Sequence, residues 1–418
     1  MILSDTIKVK YKTKNSYQEV GGCEMKFIDI CSGIGGFRSA LENNGHECLA
    51  FAEIDKYAKQ SYRAIYDTDG EEDLDDITTI TDEHFRLYRG QCDIITGGFP
   101  CQAFSIAGNR RGFDDTRGTI FFHIARAIKE IRPSYVLLEN VKGLFSHDKG
   151  RTFGTIIQAL DELGYVTEWG LFNSKYWGVP QNRERVYILV TRKDKFKGPV
   201  LFDLLKQQTE VTTRLIDVLE NEVDEKYYLS EEKTRKLTLD HDLGGKLNMY
   251  DFNERDKVHS VNKVSPTLNT MQGGDRQPKI AVREATKQGY ALAERGDSVN
   301  VSYPTSKTRR GRVGKQVAQT LQAGEVNQSV VIDDTQGYDG TRIYKGISPT
   351  IRSSRSGLKT IDNLRIRKLV PIETWRLQGF TDEQFYKAKE SGVSNSQLYK
   401  QAGNSVTVNV VDAIVKCL

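Results

Sequence analysis

Three observations predict an α/β fold, a largely parallel sheet covered on both faces, carrying a smaller β-rich domain. From residue 25 to about 195 short apolar runs alternate with helical stretches. Residues with chemistry to offer fall at the ends of those runs. Between about 202 and 360 the character changes to polar, Gly-rich sequence with short β-branched runs. Strands alternating with helices at this spacing form β-α-β units, whose ligands bind at the carboxyl ends of the strands.

The elements follow in order. MKFIDI is the first strand, and a Gly-rich turn leads from it into the helix FRSALENNG. CLAFAEI precedes the helix DKYAKQSYRAIY; CDIITGGF precedes a loop and the helix TIFFHIARAIKEI; SYVLLENV precedes TFGTIIQALDELG, and RVYILVT closes the series. In the insertion, VSPTLNT (264–270), VAQTLQA (317–323) and ISPTIRS (347–353) form a weak repeat, each followed by an apolar run: KIAV, SVVI and KTI. They read equally as hairpins or as recognition loops. Helical periodicity returns with PIETWRLQGF and ends with SVTVNVVDAIVKCL, with QAGNS at 401–405 between them.

A chain of 418 residues exceeds one ordinary compact core, which favours a large domain plus a small one. Residues 1–24 read as a polar extension without the apolar stretch of a secretory signal, so the chain is expected to stay where it is made. No apolar run approaches the roughly 18 residues of a membrane span. Net charge is only +4, which neither requires nor excludes a nucleic-acid partner, but its distribution is uneven: residues 301–360 hold ten Lys or Arg against four Asp or Glu. The six cysteines form no C-x-x-C pair and lie beside no histidine at ligand spacing. That disfavours zinc, a redox dithiol and a disulfide framework.

Two stretches carry chemistry. In FIDICSGIGGF (27–37), Gly33, Gly35 and Gly36 allow close backbone approach to a ligand, and Glu53 follows at the distance of a ribose-binding acid. The G-x-G-x-x-G spacing of a dinucleotide site is absent, and a purely structural turn remains an alternative. In GGFPCQAFS (97–105), Cys101 stands at a strand exit behind Pro100, either a packed thiol or a nucleophile. Glu139 and Asn140 end the strand SYVLLENV, where burial could raise a carboxyl pKa until it donates a proton. Arg183 and Arg185, two apart, point to one face, and surface ion pairs are their alternative reading.

In this order the motifs resemble the cytosine-C5 DNA methyltransferases of bacterial restriction-modification type, from about Lys26 to the C-terminus. The family's S-adenosylmethionine turn matches Asp29, Cys31, Gly33, Gly35 and Gly36, its ribose acid Glu53 with Ile54 beside it, and its adenine-contacting acid Asp76 with Ile77 beside it. Pro100-Cys101, Glu139-Asn140-Val141, Gln181 with Arg183 and Arg185, and Gly403-Asn404-Ser405-Val406 match further steps, and RKLVPIETWRLQGF resembles the segment after the recognition domain. Cys31 and Ile54 stand where the family often has aromatic residues of the adenosine pocket.

The resemblance implies a Rossmann-like, S-adenosylmethionine-dependent catalytic domain at 25–205, completed by 392–418, and a target-recognition domain at 206–391. It implies that Cys101 adds to C6 of a flipped cytosine while Glu139 holds N3. Arg183 would buttress Glu139 and the base O2 or stabilise the thiolate, Arg185 would complete the catalytic set, and Asn140 and Asn404 would support the site. Pro100, Asn404 and Ser405 would also border the cofactor, which leaves as S-adenosylhomocysteine; no metal is implied. Residues 102–117 would close over DNA with Ser105 and Arg117 in contact, Arg342 would read a base edge, and Thr350 corresponds to the family's structural threonine. The implied partner is double-stranded DNA, with no membrane. The implied setting is a monomer in the bacterial cytoplasm, with or without a cognate restriction endonuclease. The rival readings are a catalytically silent DNA-binding relative, a tRNA cytosine-C5 methyltransferase, and a nicotinamide-dependent oxidoreductase, which the glycine spacing disfavours. About 150 residues of recognition region weigh against the tRNA enzyme.

Overall fold

The computed structural model describes residues 24–100, 119–209, 213–230, 234, 279–321, 328–333 and 364–418. The strands of its first part are β1 (Lys26–Ile30), β2 (Glu47–Ala52), β3 (Glu72–Asp73), β4 (Ile94–Gly98), β5 (Tyr135–Val141), β6 (Tyr165–Asn173), β7 (Gln181–Asn182) and β8 (Glu184–Arg192). All but β7 join one sheet in the order β3-β2-β1-β4-β5-β8-β6. β1 to β5 pair parallel, as the strand–helix alternation predicts, whereas β8 is antiparallel to both β5 and β6. The reversal has a local cause: only residues 174–183 separate β6 from β8, too few for a parallel crossover. β6 itself escapes sequence reading because YVTEWGLFN has no continuous apolar run, being half-exposed along much of its length.

Successive side chains of each strand enter opposite layers. Phe27, Phe51, Leu137 and Leu189 face one core; Ile28, Ala50, Val136 and Ile188 face the other. The first core is covered by α1 (Gly36–Asn43) and α2 (Lys56–Ile65), whose Asp55 accepts hydrogen bonds from the amides of Tyr57 and Ala58 as an N-cap. The second is covered by α3 (Asp82–Arg86), α4 (Ile120–Ile131) and α5 (Arg151–Glu162). Each fully buried Leu, Ile, Val or Phe contributes roughly 1.5–3 kcal/mol, so the apolar strand runs and the helix faces packed on them together stabilise this domain.

The chain then passes α6 (Leu201–Lys206) and enters the strand-rich insertion. There β9 (Lys279–Arg283) and β10 (Tyr290–Glu294) form a hairpin. β11 (Ser298–Asn300), β12 (Val313–Gly314), β14 (Gln328–Asp333) and β15 (Leu364–Lys368) form a sheet in the order β12-β11-β14-β15. A small core of Val282, Ala293, Val299, Val331 and Ile366 fills it. Of the runs that follow the weak repeat, KIAV lies in β9 and SVVI in β14. Within VAQTLQA, Ala318–Gln319 is β13, whose pairing among the described residues is parallel, with β7. VSPTLNT and ISPTIRS lie outside the described residues.

The boundary expected at 391 is not where the packing divides. α7 (Pro371–Arg376) and α8 (Asp382–Glu390) place Trp375 and Phe385 in the same core as α1 and α2, joined by α9 (Asn395–Asn404) and α10 (Val408–Val415). QAGNS is the last turn of α9 followed by Ser405. Among the described residues no helix is long and apolar enough to cross a membrane.

Candidate active site

The turn after β1 is shaped by left-handed backbone at Cys31 (φ 54°), Gly33 (φ 57°) and Gly35 (φ 80°). The Ser32 amide donates to the Ala52 carbonyl at 3.0 Å, which ties the turn to the end of β2. The Gly33 amide donates to Glu53 Oε2 at 2.8 Å, and the Asp55 amide to Glu53 Oε1 at 2.8 Å. Two backbone donors therefore orient the Glu53 carboxylate, and each oxygen keeps a lone pair for a hydroxyl. Ile54, beside it, is 72% exposed, an apolar surface with no protein cover. Asp76 accepts from the Thr78 amide at 2.9 Å, which holds its pKa below the usual carboxylate range, while Ile77 is buried under it. Burial, with Glu53, Asp29 and Asp76 nearby, pushes the half-buried Cys31 thiol up to about 12, so it stays neutral.

A carboxylate oriented by two backbone donors, an exposed apolar side chain and a second carboxylate around a glycine turn fit a nucleoside such as that of S-adenosylmethionine. The Ser32 hydroxyl there is buried without a partner. Asp29 is different: it is fully buried, accepts from Thr96 Oγ1 at 2.9 Å, and leaves Oδ2 unpartnered. Thr96, in the apolar run of β4, is a partner that sequence reasoning missed; its only signal is a hydroxyl inside IITGG.

At the carboxyl ends of β4 and β5 lies the second half of the site. Gly98 pairs with Glu139, and an added Cβ at Gly98 would sit 3.6 Å from Glu139 Oε2. Glu139 is buried, which raises its pKa against the opposing pull of Arg185 and Arg183. Arg185 Nε lies 3.0 Å from Glu139 Oε1, within ion-pair distance but off hydrogen-bond alignment. Arg183 turns elsewhere: its terminal nitrogens donate to the carbonyls of Gly403 (3.2 Å) and Ser405 (2.7 Å). Burial, with Arg185 beside it, brings its pKa down to about 10. The direct partner of Glu139 is thus Arg185, and the buttress expected of Arg183 goes to the turn after α9.

Asn140 holds the strand ends together. Its Nδ2 donates to the Phe99 carbonyl at 2.7 Å, and its Oδ1 accepts from the Val141 amide at 2.9 Å. Phe99 immediately precedes Pro100 and Cys101. Pro100 is exposed at the end of the described segment; Cys101, Ser105, Arg117, Arg342 and Thr350 lie outside the described residues. Ser405 is buried and Asn404 exposed, and an added Cβ at Gly36 would meet Val406 Cγ2 at 2.6 Å and Ser405 Oγ at 2.9 Å. The glycine turn, the arginine pair and residues 403–406 therefore form one continuous structure. Thr320, another residue missed, donates to the Asn182 carbonyl at 3.0 Å, beside Arg183.

The sequence profile described as "C-5 cytosine-specific DNA methylase" matches residues 25–418. The chain is 36% identical to the orphan methyltransferase M.SPRI of Bacillus phage SPR, covering 94% of this chain and 97% of that one. It is 41% identical to the type II methyltransferase M.DsaV of Dactylococcopsis salina over 94% of this chain and 85% of the relative. Among solved structures, S. pombe Dnmt2 methyltransferase aligns with a TM-score of 0.55 at 18% identity, over 94% of this chain and 97% of that one. At that identity the likeness is one of fold.

Proposed function

The chain belongs to the C-5 cytosine-specific DNA methylase family and is a DNA cytosine methyltransferase, and from that premise we propose that it methylates a cytosine turned out of a specific duplex sequence through a covalent Cys101–C6 bond. The observation that carries this reading is the join at the ends of β4 and β5. A buried carboxyl of raised pKa, Glu139, sits beside the backbone that Asn140 ties down one residue before Pro100-Cys101.

S-adenosylmethionine, when bound, supplies an electrophilic methyl group; the site residues that fit it are Gly33, Glu53, Ile54 and Asp76. The protein must make cytosine C5 nucleophilic. The Cys101 thiolate adds to C6 while the Glu139 carboxyl protonates N3, so the C5–C6 π electrons are held as an enamine that can attack the methyl. C5 takes the methyl as the methyl's bond to the sulfonium sulfur breaks; a base then takes the C5 proton, the C5–C6 double bond re-forms, and the C6–S bond breaks. The N3 proton returns to Glu139, and the thiolate is regenerated. Arg185 keeps Glu139 pointed at the base, and Arg183 fixes the turn at 403–405. Because C6 is shielded inside a stacked duplex, the base must leave the stack.

Methyl-labelled S-adenosylmethionine, offered with unmethylated duplex DNA or with tRNA, tests the reading. The wild type should label duplex cytosines at C5, and Cys101→Ser should bind cofactor yet transfer nothing. Substantial turnover by Cys101→Ser would refute the covalent route. Label confined to tRNA, or no label at all, would refute the DNA reading.

A further inference from the structure

The 21 residues 301–321 contain five cations, Lys307, Arg309, Arg310, Arg312 and Lys315, and no acid. They do not all face solvent. Lys315 is neutralised by Asp297 at 2.6 Å, and Arg309 is half-buried. Arg312 is only 1% exposed, and its guanidinium donates to three carbonyls at the end of β11 and in the loop that follows: Asn300 O (2.9 Å), Ser302 O (2.9 Å) and Tyr303 O (2.6 Å). Burying a guanidinium whose direct partners are carbonyls is costly, and the Glu284 carboxylate, which accepts from the Arg312 amide at 2.6 Å, offsets only part of that cost. What that cost secures is the path of residues 300–303.

At the apex of that path is Tyr303. Its φ is 48°, a left-handed conformation that a bulky residue adopts at a cost of roughly 1–3 kcal/mol. Pro304 follows, which restricts the preceding residue further. The backbone is pinned, because the Tyr303 carbonyl also accepts from the Ser306 amide at 3.0 Å, yet the residue is 75% exposed. Lys307 and Arg310, a few residues along the same stretch, are also exposed, Arg310 anchored through Nε to the Ala285 carbonyl at 3.0 Å. Farther along, β13 joins this stretch to β7 beside Arg183, so the loop is connected to the catalytic face by hydrogen-bonded backbone.

We propose that residues 301–312 are a duplex-DNA docking loop, in which Tyr303 presents its ring to sugar and base, Lys307 and Arg310 meet phosphates, and Arg312 is the buried strut that holds them. This rests on the reading of the chain as a DNA methyltransferase. Phosphate pairing gives charge complementarity, and an aromatic ring contacts any nucleotide without a sequence-specific hydrogen bond.

The test measures the dissociation constant of the full-length protein for a fluorescent pool of unmethylated genomic duplexes, beside its affinity for S-adenosylmethionine. Tyr303→Ala should weaken duplex binding about tenfold and leave cofactor affinity unchanged; Tyr303→Phe should stay near wild type. Tyr303→Gly should melt no lower than wild type, because it relieves the backbone, and should bind duplex as poorly as Tyr303→Ala. The pair Lys307→Ala/Arg310→Ala should lower the slope of log affinity against log salt by about 2. Wild-type duplex affinity in Tyr303→Ala, or an unchanged salt slope in the pair, overturns the proposal. A wild type that binds duplex but transfers no methyl refutes the enzymatic reading instead, and the loop variants still decide this one.

Discussion

Asp29 carries a carboxyl whose chemistry the strand pattern could not reveal. MKFIDI reads as a buried strand with a polar residue near its end, and its place in the glycine motif made it a cofactor ligand by resemblance. The structure puts it in the sheet interior, bonded to Thr96, with Arg38, Glu53 and Glu42 as the charges that act on it, and burial pushes its pKa up to about 7. Against an unfolded value near 3.9, the folded chain holds a proton between about pH 4 and 7 that the unfolded chain has released. The associated stability is present below pH 4 and lost as pH rises to 7, by on the order of 4 kcal/mol. Asp29→Asn should flatten this dependence: denaturant midpoints of variant and wild type should diverge in the variant's favour from pH 5 to pH 8. Asn140 gives the opposite lesson, since the Glu-Asn-Val motif was legible but the target of its amide was not. Asn140→Asp would set a carboxylate oxygen against the Phe99 carbonyl. We expect kcat to fall about 100-fold with S-adenosylmethionine KM unchanged, measured by steady-state methyl transfer; an unaltered kcat would exclude positioning of residues 99–101 through this side chain.

The elements show why some glycines were read for the right place and an incomplete reason. Gly33 and Gly35 adopt positive φ, as a tight turn requires, and an added Cβ at Gly35 would also strike the Tyr66 ring at 2.3 Å. Gly36, by contrast, opens α1 and is small because Ser405 and Val406, nearly 370 positions later, pack onto it. Nothing in FIDICSGIGGF announces that contact; only closure of the C-terminal segment on α1 creates it. Gly36→Ala must displace backbone as well as side chain, a cost of about 1–3 kcal/mol. The displacement passes to the Ser405 carbonyl that Arg183 holds. We expect a lower unfolding midpoint together with weaker S-adenosylmethionine binding by calorimetry. A loss of stability with full cofactor affinity would mean that the two halves of the site are mechanically independent. The antiparallel β8–β6 edge was illegible for a related reason: strand direction depends on the length of a connection, not on the composition of the strands it joins.

At the scale of the whole molecule, the insertion leaves and re-enters the large domain at one buried carboxylate. Glu373 is fully buried in α7; it pairs with Arg367 of β15 at 2.8 Å and accepts the amides of Val370 at 2.8 Å and of Glu220 at 2.8 Å. The outgoing chain at 220 and the returning chain at 367–370 are thus clasped by one side chain. Sequence reading located the composition change near 202 but set the return at 391, because PIETWRLQGF has helical periodicity without any sign of which core its Trp375 enters. Glu373→Gln leaves the Arg367 guanidinium uncompensated, and we expect about 3–5 kcal/mol of lost stability. Arg367→Met/Glu373→Leu removes both charges and should recover only part of that loss, since the Val370 and Glu220 amides still lack an acceptor. If the clasp also fixes how the insertion is presented to DNA, the double variant should show a raised KM for duplex and an unchanged KM for S-adenosylmethionine. Full recovery of stability with wild-type values of both constants would reduce Glu373 to an ordinary buried ion pair and leave the alignment of the two domains to the β7–β13 pairing.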